Sequence, residues 1–346
     1  MPLHPRRRRF RLAAPLLAVV VGAGLLSACS GDGGGDGQAL VIYSGRSEEL
    51  VQPLLDQFAE ETGIDISVRY GDSADLALAI DQEGDKGRAD VFFSQSPGAV
   101  GYLTSKDRLA ELPQRVLDLV PAEDRSAKGT WVGVSARARV LVYNPELVDE
   151  ADLPDAVLDV ADPEYAGKVA VAPTNGSFID FVSGLRSQIG DDETAAWLEK
   201  MADNDAPTFA NNNAILEAVD RGEVPMGLVN HYYLVKARQE NPDINAENHF
   251  FPEGDDGSLL LVSAVGITRT STNAEAAEQF VEFLLSPEAQ QYFADETFEF
   301  PLVDGVEPSG DLPPLDELSV TRLDLDTLGG ELTSSIEMIR ESGLQR

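Results

Sequence analysis

The sequence contains very little of the chemistry on which many enzyme active sites depend. It has one cysteine, Cys29, and three histidines in 346 residues, and the motifs HExxH, Gly-x-Ser-x-Gly and GxxxxGKS/T are all absent. One cysteine cannot form a disulfide within the chain or build a cysteine-based zinc site. Beyond Cys29 only His231 and His249 remain for histidine chemistry. Acidic residues could also supply an acid/base pair, but no such pair can be picked out among 60 candidates.

Basic residues are also scarce, and they are unevenly distributed. The chain has 26 Lys+Arg against 60 Asp+Glu, a formal net charge of −34. Five of the arginines lie within the first 11 residues, and residues 1–28 contain no acid. From residue 29 onward, 21 basic residues face 60 acidic ones, a net charge of −39. A body this acidic repels phosphate backbones, which excludes general nucleic-acid binding.

The N-terminal segment has the pattern of an export signal. Its arginines precede the apolar stretch Ala13–Leu26, which is too short for a convincing membrane span, and Leu-Ser-Ala-Cys follows at 26–29. This sequence resembles the lipobox of bacterial lipoproteins, in which the cysteine is acylated. We therefore predict a signal peptide at 1–28 and a lipidated Cys29 with a Gly/Asp-rich tether at 29–37, anchoring the protein to the outer face of the cytoplasmic membrane. The alternative is an ordinary signal peptide followed by a coincidental cysteine.

The rest of the chain alternates between strand-like and helix-like segments, which predicts an α/β fold with largely parallel sheets. Trp131–Asn144 and Leu259–Thr268 are the two long predicted strands. The other predicted strands are Ala39–Ser44, Ile64–Tyr70, Ala89–Ser94, Lys168–Ala172 and Met226–Asn230. The predicted helices are Glu48–Thr62, Ser73–Gln82, Phe178–Ile189, Thr194–Met201, Asn213–Gly222, Asn273–Leu285 and Glu288–Ala294.

Several motifs together resemble one family across nearly the whole mature chain. They are Val-Ile-Tyr-Ser-Gly-Arg at 41–46, Ala-Asp-Val-Phe-Phe-Ser at 89–94, Arg-Ala-Arg-Val-Leu-Val-Tyr at 137–143, Pro-Thr-Asn-Gly-Ser-Phe at 173–178, Asn-His-Tyr-Tyr at 230–233 and Phe-Pro-Leu at 300–302. The pattern is similar to the ferric-iron-binding solute-binding proteins of bacterial ABC importers. Asn-x-Tyr-Tyr is its most specific element.

The resemblance implies a two-lobed, class II periplasmic-binding-protein-like fold whose lobes are joined by hinge strands. Lobe one is expected at 38–137 with 264–312, and lobe two at 138–263 with 313–346. The chain would cross between the lobes near Arg139 and Ser263, and ligand would close the cleft between them.

The resemblance also implies that Tyr232 and Tyr233 bind Fe³⁺ as phenolates. The charge of the metal must drive their deprotonation, because a free tyrosine has a pKa near 10. Three positions depart from the family: Ser47 stands where many members have a ligating histidine, and Gln95 stands where they have a carboxylate. Phe178, which cannot ligate, stands in the region where some relatives have a third tyrosine. Ser47, Gln95 and Tyr43 remain as possible further metal or cleft residues. Ser47 is also predicted to cap the helix from Glu48, and His231 is predicted to point away from the metal.

Two ligands are too few for iron, and the family completes its site with a bound anion such as carbonate, phosphate or citrate. The resemblance implies an anion site at the start of the helix near Phe178, where backbone N–H groups favour negative charge. Arg137 or Arg139 would supply positive charge, with Arg137 included in the predicted site. The predicted anion-binding residues are Asn175, Gly176, Ser177, Asn212, Asn230 and Arg137.

As a whole, the resemblance implies a monomeric, non-catalytic receptor that delivers ferric iron to an ABC transporter permease. Two alternatives stay open. One is a solute receptor for another small ligand, such as an anion or a phosphonate, with the tyrosines as cleft wall. The other is a lipid-anchored surface enzyme that uses two unassigned carboxylates. Colour on addition of Fe³⁺ would separate the first interpretation from both alternatives.

Overall fold

A computed structural model describes residues 39–345, except 253, 311, 324 and 329–331. The predicted signal peptide, the lipidation site and the tether lie outside these residues. Of the helices that are described, none combines the length and the apolar character needed to cross a membrane.

The strands of the described chain are β1 (Leu40–Ser44), β2 (Ile66–Tyr70), β3 (Val91–Ser94), β4 (Val132–Tyr143), β5 (Val169–Ala170), β6 (Met226–Asn230), β7 (Glu247–His249), β8 (Leu259–Ile267), β9 (Phe300–Pro301) and β10 (Thr321–Arg322). The helices are α1 (Glu48–Thr62), α2 (Ser73–Glu83), α3 (Pro97–Ser105), α4 (Gln114–Leu117), α5 (Gly176–Ile189), α6 (Asp191–Asp203), α7 (Asn212–Asp220), α8 (Tyr232–Glu240), α9 (Ala274–Leu284), α10 (Pro287–Tyr292), α11 (Leu325–Leu328) and α12 (Leu332–Ser342).

Local sequence signals account for many of these boundaries. Helix α1 buries its apolar face in the core and ends at Gly63, whose φ of 70° is easily reached without a side chain. Helix α2 begins after Asp72, whose carboxylate accepts hydrogen bonds from two backbone amides of the first turn. Caps and apolar periodicity therefore locate most of the predicted helices to within a few residues.

The long strand β4 belongs to two sheets. In the first sheet, β1 pairs in parallel with β2 and β3, β3 pairs antiparallel with β8, and β8 pairs antiparallel with residues 132–138 of β4. In the second sheet, residues 139–143 of β4 pair antiparallel with β6, which runs parallel to β5. Strand β4 therefore changes partner between Ala138 and Arg139, close to the crossing expected at Arg139. Strand β8 pairs with first-sheet strands along its length, so no change of partner marks Ser263.

The sheets are mixed, and the prediction of largely parallel sheets is wrong in this respect. The short strands β1, β2 and β3 pair in parallel, but both long strands run antiparallel to their main partners. Alternation of strands and helices predicts parallel pairing only when each helix returns the chain to the same sheet. Here β4 passes from the first sheet to the second, and β8 runs antiparallel to both β3 and β4, so neither long strand continues the parallel pairing of β1, β2 and β3.

The C-terminal segment packs against the first sheet and against helices α3, α5 and α6. Strand β10 extends the first sheet beside β8, helix α11 packs against α3, and helix α12 packs against α5 and α6. The Trp131 indole N–H donates to Asp326 Oδ1 of α11 at 2.7 Å. The segment is therefore attached both to a strand of the first sheet and to helices from other parts of the chain.

Candidate metal centre

The two tyrosines singled out from the sequence lie together at the wall of a cleft. Tyr232 and Tyr233 are the first residues of α8, directly after β6 and His231. Their rings stack with centroids 4.4 Å apart and an interplanar angle of 26°. Tyr232 is only 5% exposed and Tyr233 is half-buried, and both line a cleft of about 530 Å³. Two adjacent phenols thus contribute to one cavity.

The cleft lies between the start of α1 on one side and helices α7 and α8 on the other. Four carboxylate side chains and one ammonium group are among its lining residues: Glu49, Glu217, Asp220, Glu240 and Lys236. This excess of negative charge favours the approach of a cation. In the described part of the chain, the cleft included, no group of three or more His, Cys, Asp or Glu residues is arranged to hold a metal ion.

The environment of Tyr232 keeps its phenol neutral in the absence of a ligand. Burial raises the pKa of Tyr232 well above its ordinary value of 10.0, and the neighbouring Tyr233 raises it further, while Arg137 acts in the opposite direction. A ligand that binds this residue as phenolate must therefore displace a proton, and a highly charged metal cation is a ligand able to do so.

Arg139 organises most of the residues predicted from the sequence to bind an anion. Its Nη1 lies 3.5 Å from Ser177 Oγ and 3.3 Å from Asn230 Oδ1, donating to both. The Asn212 amide donates to Ser177 Oγ at 3.0 Å, and the Ser177 hydroxyl donates to Asn175 Oδ1 at 2.6 Å. Asn175 also caps α5 by accepting from the Ser177 amide, and Gly176 is the first residue of that helix. The structure therefore brings these residues into one polar cluster.

This cluster contains buried polar atoms that no described residue satisfies. Arg139 Nε, Asn230 Nδ2 and Asn212 Oδ1 are buried without a hydrogen-bond partner there. Arg139 is 1% exposed and forms no ion pair with a described carboxylate, and burial lowers its pKa to about 9 although both tyrosines act to raise it. Unsatisfied buried donors beside a buried cation are costly, and a bound anion would relieve that cost.

Arg137 has different surroundings, although its side chain shares a face of β4 with that of Arg139. Its Nη2 donates to the Gln95 carbonyl oxygen at 2.6 Å, and its Nη1 lies 3.5 Å from Glu299 Oε1. Arg137 is among the residues predicted to bind the anion, but it is Arg139 that contacts Asn230 and Ser177. The reason is that β4 changes partner between these residues, so only Arg139 lies beside β6.

A buried ion pair that was not recognised from the sequence supports this region. Arg46 donates two hydrogen bonds to Glu299, at 2.9 and 2.7 Å, and the Ser135 hydroxyl donates a third at 2.7 Å. Burial alone would raise the pKa of Glu299, but Arg46 and Arg137 outweigh it and lower the pKa to about 2. The sequence does contain a signal that could have identified Glu299 as a buried charge: it is the one charged residue in the run Phe-Glu-Phe-Pro at 298–301.

The possible further metal or cleft residues, Ser47, Gln95 and Tyr43, lie in three different surroundings. Ser47 is exposed in the cleft wall at the N-cap position of α1, but its side chain forms no capping hydrogen bond, so the predicted capping role is wrong. Gln95 accepts from Arg137 through its backbone carbonyl, and its backbone N–H donates to Ser73 Oγ at 3.1 Å. The Tyr43 hydroxyl donates to Glu83 Oε1 at 3.0 Å, so Tyr43 is engaged by α2 and is not among the residues of this cleft.

Comparison with known proteins identifies the family. The family model described as bacterial extracellular solute-binding protein matches residues 87–327. The chain belongs to this family. The Fe(3+)-binding periplasmic protein of Serratia marcescens is 30% identical to this solute-binding protein over 89% of this chain and 91% of its own.

Solved structures agree with the fold of this solute-binding protein. Iron-bound HitA from Pseudomonas aeruginosa superposes with a TM-score of 0.82 and 32% identity, over 88% of this chain and 99% of its own. A Trichodesmium protein solved in complex with iron and citrate superposes with a TM-score of 0.76 and 28% identity, over 88% and 99%. The predicted two-lobed solute-binding fold is confirmed, and the coverage shows that the likeness extends through both lobes.

Proposed function

We propose that this protein captures ferric iron outside the cytoplasm and delivers it to the permease of an ABC importer. Tyr232 and Tyr233 bind the metal as phenolates, and an anion held by the Arg139 cluster completes its coordination. The observation that carries the proposal is the stacked tyrosine pair in an acidic cleft. The relatives named for ferric iron, and the iron-bound solved structures, support the choice of metal.

The proposed metal chemistry follows from the ligand set. Fe³⁺ is a small, hard cation that favours anionic oxygen, and a phenolate is such a ligand. The cleft contributes two tyrosine oxygens, while Ser47 and Gln95 provide no anionic group. The remaining coordination positions require exogenous oxygen ligands. We propose carbonate, phosphate or citrate for this role, and the solved relative with iron and citrate supports the choice of a small oxyanion.

A second candidate function is a receptor for an anion alone, without iron. The specific observation in its favour is Arg139, which is buried, has no described ion-pair partner and has an unsatisfied Nε. In that case the tyrosines would form only the cleft wall.

One titration separates the two functions. Fe³⁺ is added to metal-free protein in carbonate, phosphate or citrate, and the visible spectrum and the protein-bound iron are measured on the same sample. We expect a broad red to orange phenolate-to-iron band at one iron per protein. The variant Arg139→Gln should keep the tyrosines but make iron retention much less dependent on the anion. A wild-type protein that stays colourless in all three anions, yet binds one of them by calorimetry, would favour the anion receptor.

A further inference from the structure

His231 occupies the junction at which the two sheets and the tyrosine helix meet. Its side chain is completely buried between β4, the start of α8 and the segment around Phe298. The His231 backbone amide donates to the Ala138 carbonyl at 3.1 Å, and the Ala138 amide donates to His231 Nδ1, also at 3.1 Å. The opposite ring nitrogen, Nε2, lies 2.8 Å from the Phe298 carbonyl oxygen.

These two contacts determine the tautomer of the ring. A backbone amide can only donate, so Nδ1 must be the acceptor for Ala138. A carbonyl oxygen can only accept, so Nε2 must carry the proton that is shared with Phe298. The imidazole is therefore neutral with both nitrogens in use, and His231 is oriented away from metal binding as the sequence predicts.

The segment that His231 contacts is itself constrained. Phe298 has a φ of +54°, a left-handed conformation that is unfavourable for a residue with a side chain. Its ring packs against Tyr232 and Val235, and the next residue, Glu299, forms the bidentate pair with Arg46. Phe300 stacks on the His231 ring with centroids 4.5 Å apart. His231 thus connects the backbone that carries the tyrosines to the backbone that carries Glu299.

We propose that His231 is a positioning residue that holds the Tyr232–Tyr233 pair in register with the Phe298–Glu299 segment through its Nε2–H bond to Phe298. The expected effect of His231 on iron affinity rests on the proposed function. His231 touches neither metal nor anion in this role. It acts by fixing where the phenols lie relative to the Arg46–Glu299 pair on the other side of the junction.

Two amide substitutions separate the two ring contacts. An asparagine amide reaches about as far as Nδ1, so His231→Asn can keep the contact with Ala138 but not the one with Phe298. A glutamine amide extends to the position of Nε2, so His231→Gln can keep the contact with Phe298. His231→Phe keeps the stacking on Phe300 and removes both hydrogen bonds. His249→Asn is the matched control, because His249 lies in β7 and its ring contacts that of Phe251.

The near-ultraviolet circular dichroism of the metal-free protein reports the stacked tyrosine pair without iron. Iron affinity is then measured by competition with a chelator, and the melting temperature is recorded for every variant. We expect His231→Gln to stay close to wild type in both tyrosine signal and affinity. His231→Asn and His231→Phe should lose the wild-type tyrosine signal and bind iron at least tenfold more weakly, and His249→Asn should match wild type.

Two results would overturn the proposal. In one, His231→Asn and His231→Gln give the same tyrosine signal. In the other, affinity follows the melting temperature alone across all variants, as a purely structural role requires. If wild-type protein binds no iron, the proposed function fails, but the ordering of the tyrosine signals in the metal-free variants still decides the role of His231.

Discussion

The number of protons released when iron binds gives a direct count of its phenolate ligands. A phenol with the ordinary pKa of about 10 holds its proton at neutral pH, and burial raises the pKa of Tyr232 further. Binding through both tyrosines therefore releases two phenol protons. For each proton released, the apparent affinity for iron rises about tenfold per pH unit. Two released protons therefore make it rise about 100-fold per pH unit. Removing one tyrosine should reduce the contribution of the phenols to about tenfold per pH unit.

The measurement compares variants at several pH values with the same anion and chelator. Tyr232→Phe and Tyr233→Phe each remove one oxygen and keep the ring, so the 4.4 Å stacking can persist. Protonation of the anion, the chelator and iron itself contributes equally to all the proteins, so the difference in slope counts only the phenols. Each variant should bind iron more weakly, with a slope lower than wild type by about one proton.

Tyr43→Phe is the control for this experiment. It also removes one tyrosine oxygen, but its hydroxyl is bonded to Glu83 and lies outside the cleft lining. Its slope and visible band should equal those of wild type. If Tyr232→Phe and Tyr233→Phe retain the wild-type slope and band, the two phenols are not iron ligands.

Two further predictions concern the ion pair and the N-terminus. Glu299→Gln leaves Arg46 buried without its counter-charge, so we expect a loss of about 3–5 kcal/mol in the free energy of unfolding, measured in urea. Because the pKa of Glu299 is lowered to about 2, its stabilisation should be lost as pH falls from about 4 to 2, and a wild-type acid profile matching the variant's would contradict this. Cys29→Ala should abolish lipid anchoring. If the processed variant remains in the membrane fraction, Cys29 is not the lipid anchor.

Local patterns in the sequence predict much of the fold. Helix α1 and strand β6 occur at the predicted residues, because an apolar helical face and a short buried strand are properties of contiguous sequence. Helix α3 was not predicted, since it begins with Pro97-Gly98 and is buried on nearly every side, which removes the amphipathic signal. Helix α12 was also missed, although its apolar spacing is regular.

The parts of the site that depend on contacts between residues far apart in the sequence could not be predicted from the sequence. The tyrosine pair is contiguous and could be recognised as a motif. Arg46 and Glu299 are separated by 253 positions, and neither has a local pattern that names the other. The choice between Arg137 and Arg139 depended on the exact position at which β4 changes partner, which the alternation of residues along a strand does not encode.

The change of partner in β4 has a mechanical consequence. Arg137 and Arg139 lie on either side of that point, so their backbones lie close to any axis about which one sheet would turn relative to the other there. A turn about this axis carries the outer ends of the molecule through a wide arc but scarcely displaces groups on the axis itself. If Arg139 holds the anion as proposed, the anion site therefore keeps nearly the same position however far the two sheets turn. Substitutions at the cleft rim would then change how far the cleft opens without moving the site that binds the anion.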